Sequence, residues 1–519
     1  MENKTVKKAK KGLFSIIFSR TALLVILLLL QISGLIYAIT MLSDYWFLLY
    51  GVFLVISAAV VIYIINGKGN ADFKLTWILC ILIFSIFGVA FYLFVKMQFG
   101  TRHIGQRLGT LRGETDMYMQ QNPNIIERLR ISKPANANLA YYMSHQLSFP
   151  VYQNTKVTYF PLGEDKYQSL LLDLEHAKKY IFMEYFIVAK GVMWEHILDI
   201  LEQKAKTGVE VRFMYDGMCS VELLPYNYAK QIRKKGIKCK IFSPIRPILS
   251  TKQNNRDHRK ICVIDGVTAY TGGINLADEY INEKERFGHW KDTAVRIKGD
   301  GVQSFTMMFL QMWNINERKP ENYKAYLTPM ATELRKEYGF VLPYGDSPHD
   351  NENVGEEVYF HILNHAKKYV HIMTPYLILD SEMISSLTFA AKCGVEVIII
   401  MPHIPDKAYA FALAKTYYEE LIIAGVQIYE YTKGFVHAKV FVSDDDTATV
   451  GTINLDYRSF YHHFECGAFI YNNPVVDKIE QDFQYTLKKC QKISLMEARN
   501  RKFTTKIYGE VLRLVAPLM

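Results

Sequence analysis

Two histidines, two lysines and two aspartates recur at one spacing in this chain of 519 residues. Asp257–Asn275 reads D-H-R-K-I-C-V-I-D-G-V-T-A-Y-T-G-G-I-N, and Val436–Asn454 reads V-H-A-K-V-F-V-S-D-D-D-T-A-T-V-G-T-I-N. Both fit one template: His, any residue, Lys, four residues, Asp, six residues, Gly, two residues, Asn. The first copy supplies His258, Lys260, Asp265, Gly272 and Asn275. The second supplies His437, Lys439, Asp444, Gly451 and Asn454, each 179 positions further on. An imidazole near neutral pH serves as nucleophile or proton carrier. A lysine ammonium is a point charge suited to phosphate oxygens. Paired lysines beside paired histidines point to an anionic substrate, and phosphate is the natural one. A lone His-x-Lys is usually a solvated strand face; two complete templates inside a longer repeat are not.

The elements that must position these residues are also repeated. Ile-Cys-Val-Ile and Val-Phe-Val are short apolar runs ending at Asp-Gly and Asp-Asp-Asp turns, which predicts two buried strands. Side chains two apart on a strand share a face, so His258 stands beside Lys260 and His437 beside Lys439. Each motif aspartate falls at the strand's end. Upstream, His176-Ala-Lys-Lys-Tyr180 recurs as His365-Ala-Lys-Lys-Tyr369, and Ala205-Lys-Thr-Gly-Val-Glu-Val211 as Ala391-Lys-Cys-Gly-Val-Glu-Val397. His176 and His365 read as solvated helix-end residues. Helices alternating with β-branched strands imply α/β layers, here in two matching halves about a pseudo-two-fold axis. Glu184 and Tyr376 sit at equivalent strand ends and are candidates to line the pocket.

Charge and hydropathy set the surroundings. The net charge of +10 suits an anionic partner, either nucleic acid or an anionic membrane surface. The seven cysteines are scattered without C-x-x-C spacing, against both a disulfide scaffold and a zinc site. A basic N-terminus is followed by apolar runs over about 21–42, 45–65 and 75–95, each long enough for roughly 30 Å of hydrocarbon. The expectation is two or three transmembrane helices in a multi-pass protein. The basic N-terminus and the basic residues after the third run give conflicting orientations. The expected domains are a membrane anchor over 1–98, a connector over 99–150, and two catalytic halves over 151–330 and 331–519.

The duplicated pattern resembles the phospholipase D superfamily, whose members carry two such His-Lys-Asp motifs. N-x-R-D-H-R-K-I-x-V-I-D-G, Thr374-Pro-Tyr376, Gly434-Phe435 and G-T-I-N-L-D-Y-R-S-F narrow the resemblance to bacterial cardiolipin synthases, over nearly the whole chain. The resemblance implies two phospholipase D-like α/β/α halves preceded by N-terminal transmembrane helices, in the bacterial cell membrane. It implies that phosphatidylglycerol is donor and acceptor, with anionic membrane lipids as partners of a membrane-embedded protein and no nucleic acid. It makes His258 the nucleophile that forms a phosphohistidine and His437 the general acid and base. Lys260, Lys439, Asn275 and Asn454 then neutralise the phosphate oxygens, while Asp265, Asp444, Glu465 and Asp292 orient the imidazoles. Relatives often carry Asn where His463 stands. No metal or nucleotide cofactor is expected, because the lysines supply the positive charge and one phosphodiester is exchanged for another. Two readings stay open beside it: another membrane phosphatidyltransferase or hydrolytic phospholipase D, and, more remotely, a membrane-tethered nuclease.

Overall fold

Short β-branched and aromatic runs become the strands of two sheets, and amphipathic segments between them become the covering helices. The computed structural model describes residues 29–30, 32–34, 37, 46–97, 102–219, 223–245, 254–317, 319, 321–328, 337–350 and 352–519, with the side chains of 46–49 and 85–86 outside that description. The chain divides into two units. One is Met1–Phe99 with Arg246–Thr251 and Leu518; the other is Gly100–Ile245, Lys252–Pro517 and Met519.

The larger unit holds both sheets. The first has the order Thr155–Phe160, Ala294–Gly299, Thr268–Gly272, Lys260–Ile264, Tyr180–Tyr185, Glu210–Asp216, Lys238–Phe242. The second repeats it as Phe340–Asp346, His463–Tyr471, Thr447–Gly451, Val440–Ser443, Tyr369–Met373, Glu396–Pro402, Gln427–Tyr431, with Cys490–Lys492 added at the edge. The motif strands Lys260–Ile264 and Val440–Ser443 lie at the centre of each sheet and are buried throughout. Helices cover them by apolar faces. Val192–Lys206 buries Met193, Trp194, Ile197, Leu198 and Leu201, the spacing of one helix stripe. Each such aliphatic side chain contributes about 1.5–3 kcal/mol on burial.

Two further strand pairs cross between the halves. Arg256–Asp257, just before His258, pairs in parallel with His463–Phe464. Gly434–Val436, just before His437, pairs in parallel with His289–Lys291. The duplication seen in the sequence is thus closed by exchanged edges.

The smaller unit corrects an expectation. Helices Trp46–Asn66 and Ala71–Met97 match the second and third apolar runs. They pack on one another through Ile64, Trp77, Ile81, Val89 and Tyr92, so part of their apolar surface is spent on that contact. Among the described residues no helix is long and apolar enough to cross a membrane. The expected N-terminal transmembrane helices, the membrane-embedded mode and the multi-pass place in a bacterial cell membrane are not supported. Most of the run over 21–42 lies outside the described residues.

The motif aspartates close the turns after the central strands. Asp265 and Asp444 adopt φ of 55° and 54°. This is the left-handed region, which Asp tolerates better than most residues. Asp265 accepts hydrogen bonds from the N–H groups of Lys178, Lys179 and Tyr180 at 2.8, 2.7 and 2.9 Å. Asp444 accepts from Lys367, Lys368 and Tyr369 at 2.7, 2.8 and 3.1 Å. The repeated Ala-Lys-Lys-Tyr segments are therefore the aspartates' partners. His176 and His365 beside them are exposed and bonded to their own helix carbonyls. Asp444→Ala should lower stability by about 2 kcal/mol, from lost charge-assisted hydrogen bonds and the left-handed backbone. Thermal denaturation checks this, and the variant should keep its turnover below its melting temperature.

Candidate active site

Each motif histidine is seated by the opposite half. The His258 N–H donates to the Phe464 carbonyl at 2.9 Å, and the His437 N–H to the Lys291 carbonyl at 2.7 Å. The next residue along each partner strand is a carboxylate. His258 Nδ1 lies 2.9 Å from both oxygens of Glu465. His437 Nδ1 lies 2.6 Å from Asp292 Oδ2. Both carboxylates are 0% exposed. Nδ1–H donation to a carboxylate fixes the tautomer in which Nε2 carries the lone pair.

The carboxylates are not equivalent. Glu465 also accepts from the Thr452 hydroxyl. The matching position in the first motif is Gly273, and a Cβ there would stand 2.1 Å from Asp292 Oδ1. The hydroxyl grips one carboxylate, and the missing side chain makes room for the other.

The lysines lie beside the imidazoles. Lys260 Nζ donates to the His258 carbonyl and Lys439 Nζ to the His437 carbonyl. Burial pushes Lys260 down to about 8 and Lys439 down to about 7, against the pull of the nearby carboxylates. Burial, and then the lysine charges, hold His258 well below the ordinary histidine range. Burial and Lys439 push His437 down to about 4, with Asp292 opposing. Both imidazoles are neutral at pH 7 while no anion is bound.

The other expected residues divide. Asn275 accepts from the Ile187 N–H at 2.9 Å and donates to the Tyr280 hydroxyl at 2.7 Å. The Tyr280 ring in turn lies 5.5 Å from the His437 ring. Asn454 keeps a buried Oδ1 with no hydrogen-bond partner among the described residues. Asp265 and Asp444 sit at the far end of the motif strands, where each follows its central strand: four residues separate Lys260 from Asp265 at about 3.3 Å per residue. Glu184 pairs with Arg259 at 2.5 Å and is 0% exposed, so a buried ion pair joins its strand to the first motif. Tyr376 donates to Asp406 and lines a small cavity with Pro375, Lys407 and Phe411. His463 lies beside His258, with ring centroids 5.6 Å apart.

Some positions escaped sequence reasoning. Phe186, 4.9 Å from the His258 ring, and Tyr280 flank the imidazoles without any motif. Thr452 and Gly273 did leave a signal: they are the mismatch between G-T-I-N and G-G-I-N.

Comparison with known proteins agrees with this geometry. A family model described as cardiolipin synthase, phospholipase D-like domain, matches residues 170–313 and 359–487. An uncharacterised protein of Streptococcus mutans is 52% identical over 88% of this chain and 99% of its own length. Cardiolipin synthase 2 of Bacillus anthracis is 34% identical over 86% of each chain. A cardiolipin synthase of a Geobacillus strain is 33% identical over 96% of this chain and 100% of its own. Among solved structures, the phosphatidylserine synthase of Haemophilus influenzae shares the fold, with a TM-score of 0.57 at 16% identity over 74% of this chain and 97% of that one. The chain belongs to the phospholipase D-like cardiolipin synthase family.

Proposed function

We propose that this enzyme, a phosphatidyltransferase by its family, makes cardiolipin and glycerol from two molecules of phosphatidylglycerol through a phosphohistidine. One observation carries the reading. Two imidazoles from opposite halves are each held at Nδ1 by a buried carboxylate, with buried lysines beside them. That constellation supplies a nucleophile, a proton carrier and positive charge for one phosphodiester.

His258 Nε2 attacks phosphorus, and the bond from phosphorus to the glycerol oxygen breaks. His437 gives that oxygen its proton. The hydroxyl of a second phosphatidylglycerol then returns the proton to His437 as its oxygen attacks phosphorus. The bond from phosphorus to His258 breaks, leaving cardiolipin. The neutral state of His258 suits attack. His437 starts neutral, so its proton is taken up with the anionic substrate, whose charge raises its affinity for protons.

Vesicles of phosphatidylglycerol, with chelator and no nucleotide, test the reading by lipid product analysis. Cardiolipin and free glycerol are expected. Phosphatidic acid alone would make the protein a hydrolase instead. His258→Ala should abolish turnover, and His437→Ala should lower it about 10²–10⁴-fold. A phosphatidyl donor with a nitrophenolate leaving group needs no proton, so it should restore phosphohistidine formation in H437A but not in H258A.

His437 and the lysines together set the pH dependence. His437 must take up a proton, so kcat/KM already declines as pH rises above about 4, and an ammonium with a depressed pKa is charged only below that pKa. The decline should therefore steepen as pH rises through about 7–8, Lys439 discharging first. A profile flat to pH 9 would refute this. Gly273→Ala drives a methyl into Asp292 and should cost about 10²-fold in kcat, the scale of a 1 Å misplacement.

A further inference from the structure

His463 has no assigned work, yet its ring lies against His258 and is nine-tenths enclosed. Its side chain is 10% exposed. Both ring nitrogens are buried without a hydrogen-bond partner among the described residues. Its Nδ1 stands 3.8 Å from Glu465 Oε1, the carboxylate that His258 already holds. Ligand atoms of His258, His463 and Glu465 all lie within 4.8 Å of one another. The pseudo-symmetric position in the first half is Trp290, whose ring lies 5.4 Å from His437. An indole there offers no metal ligand; the imidazole offers two nitrogens. The asymmetry therefore confines the cluster to the His258 side.

We propose that His258, His463 and Glu465 form a reversible binding site for a zinc-class divalent cation, and that occupancy switches the enzyme off. Two imidazoles and one carboxylate are a common zinc donor set, with the fourth position open. Zinc bonds of about 2.0–2.2 Å place tetrahedral ligand atoms about 3.3 Å apart. The 2.9 and 3.8 Å separations to Glu465 bracket that value, and side-chain rotations that set the two imidazoles at the same spacing close the site. Lys260 and Lys439 repel a cation, which keeps the metal a regulator that comes and goes.

The inhibition rests on His258 being the nucleophile. In the working tautomer Nδ1 carries the ring's proton and Nε2 the lone pair. Zinc on Nδ1 takes that proton's place. The proton moves to Nε2, and no lone pair is left to attack phosphorus. The carboxylate that orients the ring is drawn to the metal at the same time.

The test uses the full chain with zinc chloride, titrated against a chromophoric chelator, in the unsubstituted protein and in His463→Asn. H463N should bind one zinc fewer, or bind it at least ~10–100-fold more weakly, since even outer-shell changes cost that much. Zinc should inhibit transfer in the unsubstituted protein at least tenfold, reversed by chelator, and leave H463N unaffected. Equal zinc binding and equal inhibition in both proteins would overturn the site. Zinc lost with His463 but without inhibition in the unsubstituted protein would keep the site and overturn the nucleophile assignment. Cobalt serves as a second measurement that needs no variant. Tetrahedral d–d bands without a thiolate charge-transfer band are expected, and a thiolate band would assign the metal to cysteine and refute the proposal.

Discussion

The exchange of backbone and carboxylate between the two halves governs the site. The N–H of each motif histidine bonds to a carbonyl of the other half, and the adjoining carboxylate holds its Nδ1. This is a buried electrostatic set, with Glu465 and Asp292 at 0% exposure and Lys260 and Lys439 at 1%. Removing one member of such a set strands an uncompensated charge, which costs far more than the assembled set contributes to stability. The halves are therefore one cooperative object around the site, whatever their separate sheets would do alone.

Much of this was written in the chain. The 179-residue offset between His258 and His437 announces the duplication, and the sheets repeat strand for strand. Glu465 and Asp292 were both expected beside the imidazoles through family resemblance, and each lies against one Nδ1. The exchange itself was not legible. A repeat in sequence matches each residue with its counterpart in the other half, whereas the clamp joins residues that are not counterparts, His258 to Glu465 and His437 to Asp292. Strand periodicity says which face a residue takes but not which chain segment meets it.

The motif aspartates show the opposite error. Their place in the template suggested chemistry, yet Asp265 and Asp444 gather three N–H groups each from segments more than seventy positions upstream. A spacing can be shared because a turn requires it. Glu184 has a partner that the repeat does not predict: Arg259 lies inside the first motif, where the second has Ala438. The apolar N-terminal runs were plain as hydropathy, but hydropathy alone does not say what covers a helix, and the two described helices spend part of that surface on each other.

Crossed strand pairs have the logic of an isologous dimer joined into one polypeptide. In a true two-fold dimer every exchanged contact must appear twice in identical form. Fusion lifts that requirement. Once both copies lie on one chain, one carboxylate can be Asp with a glycine making room and the other Glu with a threonine gripping it. One imidazole can keep an indole for a neighbour while the other acquires a third imidazole. Covalent linkage thus turns a symmetry constraint into two separately adjustable environments, which is what a reaction with unlike first and second halves can use.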